Sequence, residues 1–293
     1  MLRWRILLGA VFIAALVGLV WLDLTATPGT WLLPLAMLVG LGAAQEMVSL
    51  LPRTGQRPLA GIIVGGSLLV IASNAIPLFM LTSIDDRPNE HLGWPVLAFA
   101  LVLLAAFVAE MSRYERPGGG TTINLALAAL GVAYVGLLMS FVVQLRVLGG
   151  AITGMVNLLA LIMVVKFADI GAYTTGRLFG RHKMAPVISP GKTIEGACGA
   201  LVFACLGAWL SFTYLPPRLG CNQPQHPLGW IVFGLAVGVA GMLGDLAESL
   251  LKRDLGVKDS STWLPGFGGV LDLIDSILFA APVAYLCAVL EIT

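Results

Sequence analysis

An all-α polytopic integral membrane protein of about nine transmembrane helices is the fold class this sequence predicts, from three observations. Hydrophobic residues make up 58% of the 293 and charged residues 11%, with a mean hydropathy of +0.92, far from the composition of a soluble domain. Nine apolar segments reach or approach the roughly 20 residues that a spanning helix needs. The bases then fall almost entirely on alternate connections between those segments, as the positive-inside rule requires.

The segments run over 6 to 22, 29 to 51, 59 to 81, 94 to 111, 122 to 143, 148 to 173, 194 to 215, 228 to 251 and 270 to 290. The first follows Met1-Leu2-Arg3-Trp4-Arg5, which resembles the start of a signal peptide, but no small-residue cleavage site follows, so a retained span is expected. The sixth is interrupted by Lys166 and Asp169. With the N-terminus inside and the C-terminus outside, the inner connections carry Arg3, Arg5, Arg53, Arg57, Arg113, Arg116, Arg177, Arg181, Lys183, Lys192, Lys252, Arg253 and Lys258. The outer ones carry Arg87, Arg146 and Arg218. The connections at 23 to 28, 82 to 93 and 216 to 227 are rich in Pro, Asn, Asp and Gly and read as outward-facing turns. The chain divides into transmembrane helices over 1–145 and a catalytic transmembrane region over 146–293 that holds the polar residues; Glu46 and Glu110 are the buried acids of the first part.

A net charge of +1 and the lack of a basic, aromatic-studded run exclude nucleic acid as a partner. The four cysteines form no CxxC, and three lie in apolar segments, so neither a disulfide nor a metal site is expected of them.

The chemistry is expected between residues 241 and 275. Asp245, Glu248, Ser249 and Lys252 fall at i, i+3, i+4 and i+7, one face of a helix end. Asp272 and Asp275 share a face at the start of the ninth span, after Pro265-Gly266-Phe267-Gly268-Gly269, whose glycines allow close backbone approach to a ligand. Carboxylates from two helix ends, with Lys252, Arg253 and Lys258 on the loop between them, suit a Mg²⁺-nucleotide site, because Mg²⁺ takes carboxylate, phosphate and water oxygens. The bland alternative is that these charges are interfacial salt bridges capping two helices. A second cluster holds Lys166, Asp169 and Tyr173 on one face, then Arg177, Arg181, His182 and Lys183, and ends in Ser189-Pro190-Gly191-Lys192-Thr193-Ile194-Glu195-Gly196. Lys166 and Asp169 can neutralise each other, and that pair reads equally as structural or functional. Gly191-Lys192-Thr193 is no Walker motif, since Pro186 stands where the first glycine is required. His182, flanked by Arg181 and Lys183, reads as solvated basic surface.

Taken together, Ser249-x-x-Lys252-Arg253-x-x-x-x-Lys258-Asp259, Leu264-Pro265-Gly266-x-Gly268-Gly269-x-x-Asp272-x-x-Asp275, Gly244-Asp245-Leu246-x-Glu248-Ser249, Asp169-x-Gly171-Ala172-Tyr173 and the Ser189 to Gly196 stretch resemble the phosphatidate cytidylyltransferase (CDP-diacylglycerol synthase) family. The resemblance covers about 166 to 280. Two positions depart from the family pattern: Phe267 stands in place of His and Leu273 in place of Arg.

The resemblance implies that CTP and phosphatidic acid react at the bilayer to give CDP-diacylglycerol and pyrophosphate. It implies Mg²⁺, as one or two ions, on Asp245, Asp272 and Asp275. Lys252 and Ser249 join these acids as catalytic residues, and Asp169, Tyr173, Ser189, Lys192, Arg253, Lys258, Asp259, Gly268 and Gly269 bind substrate. A bacterial inner-membrane location with a cytoplasm-facing site follows, and the first half of the chain is either bilayer embedding or the surface of a homodimer. The rival readings are another CTP-dependent lipid enzyme (an isoprenoid-alcohol kinase or an archaeal-type lipid cytidylyltransferase), an ion-coupled transporter, and an inactive structural relative.

Overall fold

In the computed structural model, apolar sequence becomes helix almost throughout. Described are residues 2–51, 59–80, 88–114, 120–220, 227–257, 260–261 and 268–292. Ten α-helices follow one another: α1 Leu2–Leu24, α2 Leu32–Leu50, α3 Ala60–Ala72, α4 Pro88–Ser112, α5 Thr121–Gly131, α6 Leu138–Val147, α7 Gly150–Phe179, α8 Ile194–Leu219, α9 Gly229–Asp254 and α10 Val270–Val289. Two π-helical stretches occur, Ile76–Met80 beyond α3 and Val132–Leu137 joining α5 to α6. Among the described residues, eight helical segments are long and apolar enough to cross a bilayer. They correspond to the second through ninth expected segments, the third being α3 with its π-helical continuation and the fifth the composite of α5, the π-helical stretch and α6. The first expected segment is helical as α1, of which the apolar stretch Ala14–Leu24 is described in full. The chain is thus an all-α polytopic membrane protein.

A hairpin of β1 (Lys183–Ala185) and β2 (Ser189–Thr193), antiparallel, stands in the connection from α7 to α8. Several helices also outrun their expected ends. α7 continues to Phe179, and α8 runs through Pro216 and Pro217 to Leu219 before Gly220, at φ +80°, turns the chain. Proline ends a helix by withholding a donor, but near a C-terminus its carbonyl still serves. The N–H of Gly220 bonds to the carbonyls of both prolines.

Two compact units result, Met1–Gln144 with Asp259–Leu273, and Leu145–Lys258 with Ile274–Thr293. In the first unit, Asp23 is fully buried and accepts from the N–H groups of Gly29, Trp31 and Leu32, which ties α1 to the start of α2. A polar thread crosses its apolar interior: Gln144 donates to Asn74 Oδ1 at 2.6 Å, and Asn74 Nδ2 lies 3.1 Å from Ser140 Oγ. Buried amides and hydroxyls of this kind hold helices together where lipid offers no hydrophobic drive.

In the second unit the helices meet along glycines. A Cβ at Gly171 would run into Gly199 O and Phe203, one at Gly199 into Thr175, one at Gly234 into Cys205 and one at Gly244 into the backbone of α10 at Asp275. Small residues let the axes of α7, α8, α9 and α10 approach closely, the usual solution for helices packed in a bilayer. Arg146, expected on an outer loop, is instead buried at the end of α6 and donates to Ala151 O at 2.9 Å.

Candidate functional site

Sequence spacing places one acid-base face at the end of α9, and local helix geometry delivers it. Lys252 Nζ lies 2.7 Å from Glu248 Oε2, one turn back, and Ser249 Oγ lies 3.5 Å from Asp245 Oδ1. Lys252 and Arg253 also occupy the last turn, where the helix dipole favours cations. Glu248 is buried with 2% of its surface exposed, so its carboxylate needs a cation, and Lys252 supplies one.

The β1–β2 hairpin adds the next charge. Thr193 is the N-cap of α8, its Oγ1 accepting from Gly196 N at 3.1 Å. Glu195, in the first turn, accepts from the N–H groups of Arg181 and His182 and lies 2.7 Å from His182 Nδ1. Those bonds pin the start of the hairpin to the start of α8. On the other side Arg253 Nε donates to Ile188 O at 3.2 Å. So held, β2 presents Lys192, whose Nζ lies 2.8 Å from Asp245 Oδ2. Residues 53 positions apart in the chain are thereby in direct contact.

α7 contributes the third part. Lys166 Nζ donates to Asp169 Oδ2 at 3.3 Å, and Asp169 has Asp245 and Lys192 as further electrostatic neighbours. Tyr173 takes another course: it stands exposed and accepts from Arg177 Nη1 at 2.7 Å. Asp275, from α10, accepts from Ser276 Oγ at 3.0 Å and has Asp245 and Glu248 as electrostatic neighbours. The second unit therefore gathers Asp169, Asp245, Glu248 and Asp275 with Lys166, Lys192 and Lys252. Ser189 lies at the start of β2, on the same hairpin as Lys192.

Asp272, Gly268 and Gly269 belong to the first unit, where they form a different constellation. Asp272 Oδ2 accepts from Gly269 N at 2.6 Å, Ser260 Oγ at 2.9 Å and Ser260 N at 3.2 Å. Glu46 of α2 accepts from Ser260 Oγ, Ser261 Oγ and the N–H groups of Val270 and Leu271. Gly268 adopts φ +88°, and a Cβ there would meet the Asp272 carboxylate. The close backbone approach expected of these glycines is thus made to the chain's own carboxylates. Lys258, Asp259 and Phe267 lie outside the described residues.

Two residues escaped the sequence reading as site members. Glu248 was placed on the right face without a role, though the Glu248 to Lys252 spacing is itself the signal of an i, i+4 ion pair. Glu46 was visible only as an acid inside an apolar helix, which is a functional signal by default.

Among the described residues no group of three or more His, Cys, Asp or Glu is set to hold a metal ion. The donor chemistry nevertheless suits a hard divalent cation. Asp245 and Asp275 are carboxylates that neighbour each other from two different helices, and oxygen donors of this kind are what Mg²⁺ takes.

Comparison with known proteins adds an independent line. The chain matches the model of the cytidylyltransferase family over residues 3–290. A phosphatidate cytidylyltransferase of Staphylococcus haemolyticus is 31% identical over 267 residues, 90% of this chain and 92% of that protein. Phosphatidate cytidylyltransferases of Synechocystis sp. and Staphylococcus aureus are 35% and 36% identical over 60% and 64% of this chain, and the matches span 66% and 65% of their own lengths.

Proposed function

Because the chain belongs to the cytidylyltransferase family and is a CTP-dependent nucleotidyltransferase, we propose that it is a phosphatidate cytidylyltransferase, converting CTP and phosphatidic acid to CDP-diacylglycerol and pyrophosphate. The observation that carries the reading at the level of residues is the Lys192–Asp245 pair, which joins the hairpin to α9 inside a cluster of like chemistry.

A phosphate oxygen of phosphatidic acid attacks the α-phosphorus of CTP, and the bond from that phosphorus to the oxygen bridging the β-phosphate breaks. The lipid phosphate is already an anion, so no strong general base is needed. The barrier lies in bringing two polyanions together, and cations lower it. Lys192 and Lys252, each held by a carboxylate partner, bind the triphosphate and stabilise charge on the leaving pyrophosphate. Arg253 keeps the hairpin in place through Ile188 and contacts phosphate with its remaining donors. Ser249 hydrogen-bonds a phosphate oxygen, and Asp169 orients Lys166 beside Lys192. Lys258 and Asp259 complete the set of substrate-binding residues in this reading.

Mg²⁺, as one or two ions, would be held by Asp245, Asp275 and Asp272, and when bound it neutralises triphosphate charge. Orientation follows the base distribution, with the N-terminus and the site on the cytoplasmic side of a bacterial inner membrane. The decisive experiment supplies the purified protein in detergent with labelled CTP, Mg²⁺ and phosphatidic acid. Labelled CDP-lipid and pyrophosphate are expected; release of CDP with a phosphorylated lipid, or no product beside a working control enzyme, overturns the reading.

A further inference from the structure

The first turn of α10 is capped by a residue from a helix more than 200 positions earlier in the chain. Glu46 is 2% exposed and lies within the apolar α2, where a carboxylate is costly unless donors surround it. Four do. Oε1 accepts from Ser261 Oγ at 2.7 Å and Val270 N at 2.8 Å, while Oε2 accepts from Ser260 Oγ at 3.1 Å and Leu271 N at 2.8 Å.

Local capping would need a side-chain acceptor at the residue before α10, but that residue is Gly269. A Cβ there would press on Ser260 Oγ and the Glu46 carboxylate, so glycine leaves room for both. The acceptor is therefore imported from α2.

Ser260 makes the arrangement more than a cap. Its hydroxyl stands 3.1 Å from Glu46 Oε2 and 2.9 Å from Asp272 Oδ2, and it has one proton to give. The backbone N–H groups of Ser260 and Gly269, the other donors to Asp272 Oδ2, belong to residues that the Glu46 carboxylate also lies against. The donors that fix the Asp272 side chain are thus fixed in turn by Glu46.

We propose that Glu46 is a positioning residue for the cytidylyl transfer put forward above, on which this inference rests: through Ser260 and the first turn of α10 it sets the orientation of the Asp272 carboxylate. The first half of the chain then contributes to the reaction as well as to the embedding in lipid.

Both carboxylate oxygens of Glu46 face one N–H and one hydroxyl, so a glutamine must turn its NH₂ toward a backbone N–H whichever way it sits. The test compares Glu46→Gln, Ser260→Ala and Ser260→Thr in the full-length protein in detergent, with steady-state kinetics and thermal unfolding measured side by side. Glu46→Gln and Ser260→Ala are expected to lower kcat by about tenfold or more with KM for CTP within about twofold, the pattern of an interaction that matters in the transition state. Ser260→Thr, which keeps the hydroxyl, is expected to recover most of kcat. Wild-type kcat in the first two variants overturns the inference. So does a loss that Ser260→Thr fails to restore, or one that tracks unfolding temperature alone. If Glu46→Gln does not fold, the Ser260 pair decides by the same criteria. A wild-type protein that makes no CDP-lipid refutes the parent reading instead, and is recognised before any variant is compared.

Discussion

Replacing Lys192 by methionine removes one ammonium and little else, since the two side chains are similar in length and flexibility. In the folded protein that ammonium sits 2.8 Å from Asp245 Oδ2, with 22% of the lysine and 41% of the aspartate side chain exposed. Unit charges at this distance attract by roughly 6 kcal/mol at an effective dielectric of 20, before desolvation and side-chain entropy are subtracted. Measured exposed pairs retain only about 0.2–1 kcal/mol. If Lys192 serves the fold alone, Lys192→Met shifts the unfolding temperature by no more than about 3 °C and leaves turnover intact.

If Lys192 holds phosphate charge in the transition state, the same change lowers kcat by about 10²–10³-fold, the scale on which a preorganised donor contributes. The two outcomes differ by orders of magnitude. The assay is conversion of labelled CTP to CDP-lipid, with thermal unfolding in the same detergent. The double variant Lys192→Met/Asp245→Asn sharpens it: a pair that acts only on itself regains activity when both charges go, whereas a site does not. Near-normal kcat in Lys192→Met, or recovery in the double variant, refutes the reasoning.

Three further outcomes are expected. Asp245→Asn and Asp275→Asn each abolish turnover while the protein still folds, and a chelator abolishes wild-type turnover until Mg²⁺ is added back; activity that survives the chelator removes the metal from the proposal. Gly268→Ala, at φ +88° and facing the Asp272 carboxylate, lowers stability by about 1–3 kcal/mol, read as a drop in unfolding temperature. Asn74→Ala removes the acceptor of Gln144 Nε2 and costs about 1 kcal/mol with kcat unchanged; a selective loss of kcat would assign that polar thread a part in turnover.

The spanning helices were legible because an apolar run is a one-dimensional signal, readable without knowing what lies beside it. The α9 face was legible for a related reason: Asp245, Glu248, Ser249 and Lys252 are neighbours within two turns, and helical geometry alone brings them together. The hairpin was not. Its strands are three and five residues long, with Pro186 in the turn between them and Pro190 inside the second, and nothing alternates for long enough to announce a strand. Nor could spacing link Glu46 to Ser260, Ser261, Val270 and Leu271, which lie 214 to 225 positions away. The extension of α8 through Pro216 and Pro217 was hidden because the breaking power of proline depends on where in the helix it falls. Lys192 and Asp245 sit on separate motifs, and their direct contact is a product of how the hairpin is anchored through Glu195 and Arg253.

The glycine seams of α7, α8 and α9 have a consequence for how sequence variation in this protein is to be interpreted. Where a Cβ at Gly171, Gly199 or Gly234 would strike a neighbouring helix, adding a single methyl is expected to disturb the packing of the folded protein. A scan that scores loss of function alone would merge these seams with the acid-base cluster into one intolerant block. Alanine at the glycines and arginine at the lysines separate them: the first lowers the yield of folded protein, the second leaves yield alone and lowers the rate. Inherited tolerance in this chain therefore has two independent origins, steric along the helix contacts and electrostatic around Asp245, and each leaves its own pattern of permitted substitutions.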